Sequence, residues 1–188
     1  MEGRAYKVSL ARKRHQEKKR VDQMSCAIVD GDLVIIPLRL GRRAIIQLND
    51  YEQIKKYFWV DRMIGKTIYA MASASINGTT ISLYMHRVIL CPPNGESIDH
   101  KNHNGLDNRR CNLRLCTRAQ NAANRGLPKN NTSGFKGVYW NGRKFIAQCY
   151  MNSKVKYLGS FDNAKEAAIS HNKAVMKIYG EFACPNPI

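Results

Sequence analysis

A Thr-x-x-Gln pattern at Thr117 and Gln120 fixes the start of one helix more firmly than any other element of this chain. In such a capping box, each of the two side chains bonds the backbone N–H of the other residue, so that exposed amides at the start of the helix are satisfied. Gly126 and Pro128 supply the stop signals, because glycine tolerates the left-handed conformation at a helix end and proline cannot continue a helix. The sequence therefore predicts a helix over residues 117–125.

Two short runs before this helix have the length and composition of strands, Ser97–His100 and Asn112–Cys116. A polar loop rich in asparagine and glycine joins them. The order of strand, loop, strand and helix predicts a compact β-loop-β-helix unit.

Four side chains in this unit are of types that act together in hydrolysis: Asp99, His100, Asn112 and Asn121. A carboxylate beside an imidazole can bind a metal ion and activate a water molecule, and amide oxygens can complete the site without adding charge. The alternative is that such residues only form turns. We assign that simpler role to the loop asparagines 102, 104 and 108, and we expect His103 to be an exposed loop residue.

The charge of the chain indicates its class of partner. Its 188 residues include 31 Lys and Arg against 14 Asp and Glu, a formal net charge of +17. Such an excess is typical of nucleic-acid-binding proteins, whose affinity comes largely from counterion release. Acidic lipid is the alternative, but no apolar run approaches the roughly 18 residues of a membrane-spanning helix, and no signal peptide is evident. We expect a cytoplasmic protein of a bacterium or phage-infected host, with no membrane partner.

The six cysteines include no Cys-x-x-Cys pair and are expected to be free thiols in a reducing compartment. A structural zinc held by Cys91, Cys111 and Cys116 is a minority alternative, because their spacing matches no established zinc pattern.

Residues 1–24 form a basic N-terminal arm with few apolar anchors. We expect it to be mobile or helical. It either contacts phosphate groups or remains a solvated tail.

Residues 25–126 begin with a β-rich region. Strands are predicted over LVIIPL, RAIIQL, TIYAMASAS and TTISLYMHRVIL, with Met85–Val88 closing the last one. Asn77-Gly78 is typical of a type I′ hairpin turn, and the segment YEQIKKYFWV after Asn49-Asp50 predicts a short helix.

A linker is predicted over residues 127–132, followed by a second domain over residues 133–188. It contains three short strand candidates with turns at Asn141-Gly142 and near Asn152-Ser153, and then a helix. That helix begins with a capping box of Asn163 and Glu166 and ends at Gly180. His171 lies on its apolar side and is expected to be a core residue.

The middle unit resembles the HNH endonucleases with a ββα-metal motif, in the homing-endonuclease branch common in phage and intron-encoded proteins of mobile elements. The resemblance covers residues 84–126. It rests on His86-Arg87, Asp99-His100, Asn102, Asn104-Gly105, Asn108, Asn112-Leu113-Arg114 and Asn121.

This resemblance implies hydrolysis of phosphodiester bonds with one divalent ion, Mg²⁺ or else Mn²⁺. Asp99 and Asn121 are the implied metal ligands, and His100 is the base that deprotonates water. Asn112 is expected to orient the His100 ring. His86 is expected either to brace the site or to contact phosphate.

The second domain resembles an AP2-type DNA-binding domain, a three-stranded antiparallel sheet backed by one helix. The resemblance rests on SGFKGVYWNGRKFIAQCY, YLGSFDNAKEAAISHNKA and GEFACPNP. It implies that one face of the sheet lies in the major groove of double-stranded DNA. The implied contact residues are Lys136, Tyr139, Trp140, Arg143, Lys144, Gln148 and Lys156.

The sequence as a whole thus predicts a multi-domain α+β protein that cleaves DNA at directed sites. With one site per chain, a monomer is expected to nick one strand per encounter. A non-catalytic DNA-binding regulator with an HNH scaffold is the alternative, and an RNA-associated or intron-associated protein remains a third, since basic charge does not separate DNA from RNA.

Overall fold

The structure of the protein, a computed structural model, describes residues 2–151 and 154–188, with side chains from residue 13 onward. The chain divides into two compact units, Met1–Asn94 with Asn104–Arg114, and Gly95–His103 with Leu115–Ile188. Helices combine with several small antiparallel sheets, which confirms the predicted α+β class. This division passes through the predicted β-loop-β-helix unit, and the domain boundaries expected from the sequence remain predictions.

The first unit begins with helix α1, Glu2–Ser25, so the basic arm is helical. Near the end of α1, the buried side chain of Gln23 donates from Nε2 to the carbonyl oxygens of Pro37 at 2.9 Å and Trp59 at 2.7 Å. Its Oε1 accepts from the Trp59 amide at 2.9 Å. Both ends of one amide therefore fix α1 to the unit.

Among the described residues, every helix is too short or too polar to span a lipid bilayer.

Two three-stranded antiparallel sheets follow. The first contains β1 (Ile28–Asp30), β2 (Leu33–Pro37) and β3 (Arg43–Gln47), in that order. The second contains β4 (Val60–Ile64), β5 (Thr67–Ile76) and β6 (Thr79–Tyr84). The strands predicted over LVIIPL, RAIIQL and TIYAMASAS are confirmed, and β1 and β4 are additional strands.

The turn between β5 and β6 has positive φ at Asn77 (49°) and Gly78 (78°), which confirms the type I′ prediction. Helix α2, Tyr51–Ile54, is shorter than the segment predicted to be helical. The chain leaves the helix early, and the fully buried Trp59 then donates from its indole nitrogen to the Ile54 carbonyl at 2.8 Å.

Helix α3, Met85–Leu90, corrects one prediction. Met85–Val88 does not close a strand. The apolar residues of this segment fit a helical spacing as well as an alternating one, and burial of Met85 and Ile89 on one helical face decides between them. Cys91 ends the helix in the left-handed conformation, ahead of two prolines.

The middle of the chain forms the predicted β-loop-β-helix order. Strand β7, Ser97–His100, pairs with β8, Leu113–Cys116, and helix α4, Arg118–Ala123, follows. The Thr117 hydroxyl accepts from the Gln120 amide at 3.2 Å, and the Gln120 side chain accepts from the Thr117 amide at 2.8 Å. The capping box is therefore confirmed.

The second unit also contains the antiparallel sheet β9 (Val138–Trp140), β10 (Phe145–Met151) and β11 (Lys154–Phe161), with β10 in the centre. Helix α5, Ala164–Tyr179, packs on this sheet. Asn163 caps α5 by accepting from the Glu166 amide at 2.8 Å, which is one half of the predicted capping box, and Gly180 ends α5 with a positive φ, as predicted. The turn expected near Asn152-Ser153 lies outside the described residues.

The buried centre of the core between α5 and the sheet is built from small residues, with larger side chains, Phe135, Phe145, Leu158 and Phe161, partly buried around it. Val138, Ala147, Ala167 and Ala168 are buried together. Because alanine adds so little volume, the helix can approach the sheet closely. His171 is buried on the same helix, as predicted.

Candidate active site

Asp99 and His100 lie side by side at the end of β7, and both are buried, with exposed fractions of 4% and 6%. A buried carboxylate requires strong hydrogen-bond donors, because burial otherwise favours its neutral form. This requirement identifies the residue that supports Asp99.

That residue is Asn124, at the C-terminal end of α4. Its Nδ2 lies 2.9 Å from both carboxylate oxygens of Asp99 and 3.2 Å from the carbonyl oxygen of His100. An ionised carboxylate only accepts hydrogen bonds, so the amide nitrogen must face Asp99. Asn124 thus holds the carboxylate and the backbone of the adjacent histidine with one group.

His103 fixes the other end of the same amide. Its Nε2 lies 3.1 Å from Asn124 Oδ1, and an amide oxygen only accepts, so this ring nitrogen carries the proton. His103 has a positive φ of 62°, and its amide donates to the His100 carbonyl at 2.9 Å. His103 is an exposed loop residue, as predicted, and its ring also orients Asn124.

Asn121 lies on α4, one turn before Asn124, and is half-buried. Residues three apart on a helix share a face. The predicted metal ligand Asn121 and the observed support Asn124 therefore lie on the same side of α4, within the second unit.

Asn112 belongs to the first unit, where it is buried. Its Nδ2 donates to the Asp107 carbonyl at 2.7 Å. This bond fixes the amide orientation, with Oδ1 as the acceptor end. The carboxylate of Asp107 in turn binds the Arg109 guanidinium at 2.7 Å through two bonds, which raise the pKa of Arg109.

The loop before Asn112 is tied to the first unit through its backbone. The amide of the fully buried Asn108 donates to the Ile45 carbonyl at 2.8 Å, and Asn104 Oδ1 accepts from the Leu106 amide at 3.1 Å. A Cβ on Gly105 would lie 2.4 Å from the Ile68 carbonyl oxygen, so only glycine fits there. The two asparagines shape the loop, as predicted for them.

Arg110 secures the same loop through a contact that the sequence does not signal. Its guanidinium binds the buried carboxylate of Asp50 at 2.7 Å and the Ile89 carbonyl at 3.0 Å. The bonds to Asp50 raise the pKa of Arg110. In a chain with 31 basic residues, nothing in the sequence distinguishes this arginine.

His86 lies on α3 in the first unit and is buried beside two tyrosine rings that also contact each other. The ring centroids of Tyr69 and Tyr84 each lie 5.4 Å from that of His86. The structure thus places His86 in an aromatic cluster at the start of a helix rather than on a strand.

The predicted DNA-contact residues of the second unit divide between the two faces of the sheet. Residues that pair directly across strands share a face, and Tyr139 pairs with Ile146 while Gln148 pairs with Tyr157. Alternation along β10 adds Tyr150. Val138 and Ala147 pack in the core with α5, so their neighbours along the strands point to the other face. We call this second face the outer face, and it carries Tyr139, Gln148, Tyr150 and Tyr157.

Tyr150 and Tyr157 are 65% and 61% exposed, although the sequence did not single them out. Lys156 pairs with Cys149 and so lies on the opposite face, next to α5. Arg143 and Lys144 are exposed in the β9–β10 turn, where Lys144 pairs with Asp162 at 3.1 Å. Trp140 is half exposed and contacts Phe145, with ring centroids 4.8 Å apart.

Lys136 is engaged within the protein. Its ammonium donates to the carbonyl oxygens of Ala123, at 2.5 Å, and Arg125, at 2.6 Å. Burial lowers the pKa of this lysine.

Comparison with known proteins identifies the class. Residues 91–123 match the HNH endonuclease family. Over 155 residues, the chain is 30% identical to an uncharacterized HNH endonuclease, L560, of Acanthamoeba polyphaga mimivirus, an alignment that covers 79% of this chain and 76% of the relative. The chain therefore belongs to the HNH endonuclease family, and it is a nuclease whose substrate is a nucleic acid.

A further relative is Protein 3.8 of Escherichia phage T7, which is 46% identical over 48 residues, or 26% of this chain and 40% of that protein. No solved structure matches the chain. The family match ends at residue 123, so the AP2 resemblance of residues 133–188 stays a prediction.

HNH nucleases generally use a divalent metal, and the chemistry of Asp99 suits one. Within residues 2–151 and 154–188, no group of three or more His, Cys, Asp or Glu side chains is arranged to hold a metal ion. Asp99 offers carboxylate oxygens, the ligand type that hard divalent cations prefer.

Proposed function

We propose that the protein is a site-directed DNA endonuclease of the homing type, which nicks one strand per encounter with the help of one divalent metal ion and His100 as general base. The observation that carries this proposal is the buried Asp99, held by Asn124 at 2.9 Å through both oxygens, directly before His100 on β7. A carboxylate held in this way is preorganised as a ligand, and a binding protein has no need of it.

Asp99 and Asn121 would hold the ion, Mg²⁺ or Mn²⁺, through oxygen atoms. When bound, the ion supplies positive charge that stabilises the phosphate and the departing oxygen. Its preference for oxygen ligands agrees with the amide at position 121.

His100 would take a proton from the attacking water onto a ring nitrogen, which requires the neutral imidazole. The water oxygen then bonds to phosphorus, and the bond from phosphorus to the 3′ oxygen breaks. The departing oxygen takes up a proton from solvent, which leaves a 5′ phosphate and a 3′ hydroxyl. Asn112 would orient the His100 ring, and its amide is already fixed by the 2.7 Å bond to Asp107.

The outer face of the second unit would contact DNA. Tyr139, Gln148, Tyr150 and Tyr157 all lie on it, and alternate side chains on a strand can reach one groove together. The turn residues Arg143 and Lys144 would add contacts beside this face. Trp140 and Lys156 lie on the face next to α5, and they would reach DNA only around the edge strands β9 and β11. These contacts would direct cleavage to a target site.

The basic helix α1 would add affinity for the DNA backbone. Its described side chains at 13, 14, 18 and 19 are exposed and basic, and Gln23 anchors the helix end. A fixed helix presents its charges at defined spacing, so it loses less conformational entropy on binding DNA than a mobile tail would. The arm is thus better suited to phosphate contact than a solvated segment would be.

The proposal is tested by incubating the protein with a pool of supercoiled plasmids that carry randomised inserts, in Mg²⁺, Mn²⁺ or EDTA. We expect relaxed circles to appear before linear molecules in Mg²⁺, and no conversion in EDTA. Binding without cleavage in every divalent metal would favour the regulator. Cleavage of RNA transcripts of the same inserts, with the DNA left intact, would favour the RNA-associated alternative.

A further inference from the structure

Helix α4 carries Asn121 and Asn124, yet it has only six residues, Arg118–Ala123. Isolated helices of fewer than about 12 residues are marginal in water, so a helix this short depends on contacts at its ends. The capping box supplies the contact at the N-terminal end. The C-terminal end, where Asn124 must be held against Asp99, needs another.

Lys136 supplies the contact at the C-terminal end. Its ammonium donates to the carbonyl oxygens of Ala123 and Arg125, the residues immediately before and after Asn124. The last carbonyls of a helix have no partner within the helix, and a positive charge at that end also interacts favourably with the helix dipole. One cation therefore fixes the backbone on both sides of Asn124.

The backbone of Lys136 is fixed in turn by Asn186. The Lys136 amide donates to Asn186 Oδ1 at 2.6 Å, and Asn186 Nδ2 donates to the Lys136 carbonyl at 3.1 Å. Asn186 is buried and shares three further hydrogen bonds with Asn172 of α5, at 2.7, 2.9 and 3.2 Å. Lys136 is thus anchored to the sheet-and-helix part of the second unit.

We propose that Lys136 is a positioning residue for the nuclease site, rather than a contact to DNA. It acts through Asn124 on the carboxylate of Asp99. The sheet-and-helix part of the second unit then has two roles, because it supports α4 in addition to the DNA contacts proposed for its outer face. This inference rests on the proposed nuclease function, and the two can fail separately.

A positioning role and a phosphate contact predict different changes in Lys136→Met. If Lys136 positions Asp99, kcat falls about tenfold and the affinity for Mn²⁺ falls by a similar factor, since partners of metal ligands typically contribute 10-fold to 100-fold. The affinity for DNA and its salt dependence stay unchanged. If Lys136 contacts phosphate, DNA affinity falls and the salt slope decreases by about one charge, while kcat is unaffected.

The experiment compares wild type, Lys136→Met, Lys136→Arg and a matched control, Lys173→Met. The control removes an exposed lysine of α5. Mn²⁺ binding is followed by electron paramagnetic resonance without DNA, DNA affinity by fluorescence anisotropy in EDTA, and cleavage under single turnover. We expect Lys136→Arg to recover part of the metal affinity, because it keeps a cationic donor, and Lys173→Met to match wild type. Circular dichroism checks that each variant is folded, and the Arg variant carries the comparison if the Met variant is not.

The outcomes separate the two proposals. A wild type that neither binds Mn²⁺ nor cleaves would contradict the proposed function. A wild type that does both, with a folded Lys136 variant equal to it in metal affinity and kcat, would overturn the positioning role. A variant that loses only DNA affinity, with a reduced salt slope, would overturn it in favour of a phosphate contact.

Discussion

Asn124 Nδ2 lies 2.9 Å from each carboxylate oxygen of Asp99, so one neutral amide supports a buried carboxylate evenly at both oxygens. The amide oxygen of Asn124 accepts from His103, and the carbonyls on either side of Asn124 accept from Lys136. Asn124 is therefore held through both its side chain and its backbone. This arrangement leads to the predictions below.

Replacement of Asn124 by alanine should reduce cleavage by about 10-fold to 100-fold, because the Asp99 carboxylate loses the donor that orients it. Single-turnover cleavage in Mg²⁺ measures the effect. The matched control is Asn94→Ala, which changes an exposed turn asparagine. Equal rates for Asn124→Ala and wild type would show that Asp99 does not need this support.

Replacement of His103 should weaken cleavage less than replacement of Asn124. His103→Ala removes the donor to Asn124 Oδ1, whereas His103→Gln retains a donor of similar reach. We expect about a fivefold loss for the alanine variant, in line with a hydrogen bond worth about 1 kcal/mol, and near-complete recovery for glutamine. If both variants lost activity equally, orientation of the Asn124 amide would not be the role of His103.

Stability should depend on pH through His171. Burial, and then the positive charge of Lys136, lower the pKa of His171 below its usual value of 6.5. As pH falls below about 6.5, the unfolded chain takes up a proton that the folded protein does not, so the free energy of unfolding decreases. Urea unfolding at pH 7.5 and 5.5 should show a smaller decrease in His171→Gln than in wild type. Identical decreases would contradict this account.

Gly137 should be intolerant of any side chain. A Cβ there would lie 2.1 Å from the His171 ring and 2.6 Å from the Gln148 carbonyl oxygen, and its φ is +74°. Gly137→Ala should lower the free energy of unfolding by about 3 kcal/mol, from overpacking and from the left-handed backbone. Gly126→Ala, at a position with open space, should change it by less than about 0.5 kcal/mol. Thermal unfolding of the two variants tests the contrast.

The exposed tyrosines of the outer face should contribute to DNA affinity. A double variant, Tyr150→Ala with Tyr157→Ala in one chain, should bind DNA at least tenfold more weakly. The loss of two aromatic contacts costs upward of about 1.4 kcal/mol of binding free energy. Met176→Ala, on the helix behind the sheet, should bind DNA as wild type does. Fluorescence anisotropy at fixed salt concentration distinguishes them, and equal weakening in the double tyrosine variant and in Met176→Ala would exclude a specific role of the outer face.

The elements that the sequence predicted well are those with local signals. Thr117 and Gln120 define the start of α4 from two residues alone, and Asn77-Gly78 defines a turn by its tolerance of positive φ. Residues 85–90 were assigned incorrectly because their apolar pattern satisfies both a strand and a helix. Only burial of Met85 and Ile89 against the rest of the unit selects the helix.

The residues that support the site make contacts with residues distant in sequence, so no local sequence pattern predicts their role. Asn124 meets Asp99 across 25 positions, and Lys136 is fixed by Asn186 across 50. The three-residue spacing from Asn121 to Asn124 was the one available signal, since it places both amides on one helical face. Lys136 was assigned to DNA through the resemblance to an AP2-type domain, and no local pattern predicts its contact with the end of α4.

The central claim is that His100, beside the supported Asp99, carries out the hydrolysis. The most direct test is single-turnover nicking of a cleavable plasmid by wild type and by His100→Ala, in Mg²⁺, with DNA affinity measured in parallel. Loss of a general base should slow cleavage by about 10²-fold to 10⁴-fold while DNA affinity is retained. A His100→Ala protein that nicks the plasmid at the wild-type rate would contradict the proposed mechanism.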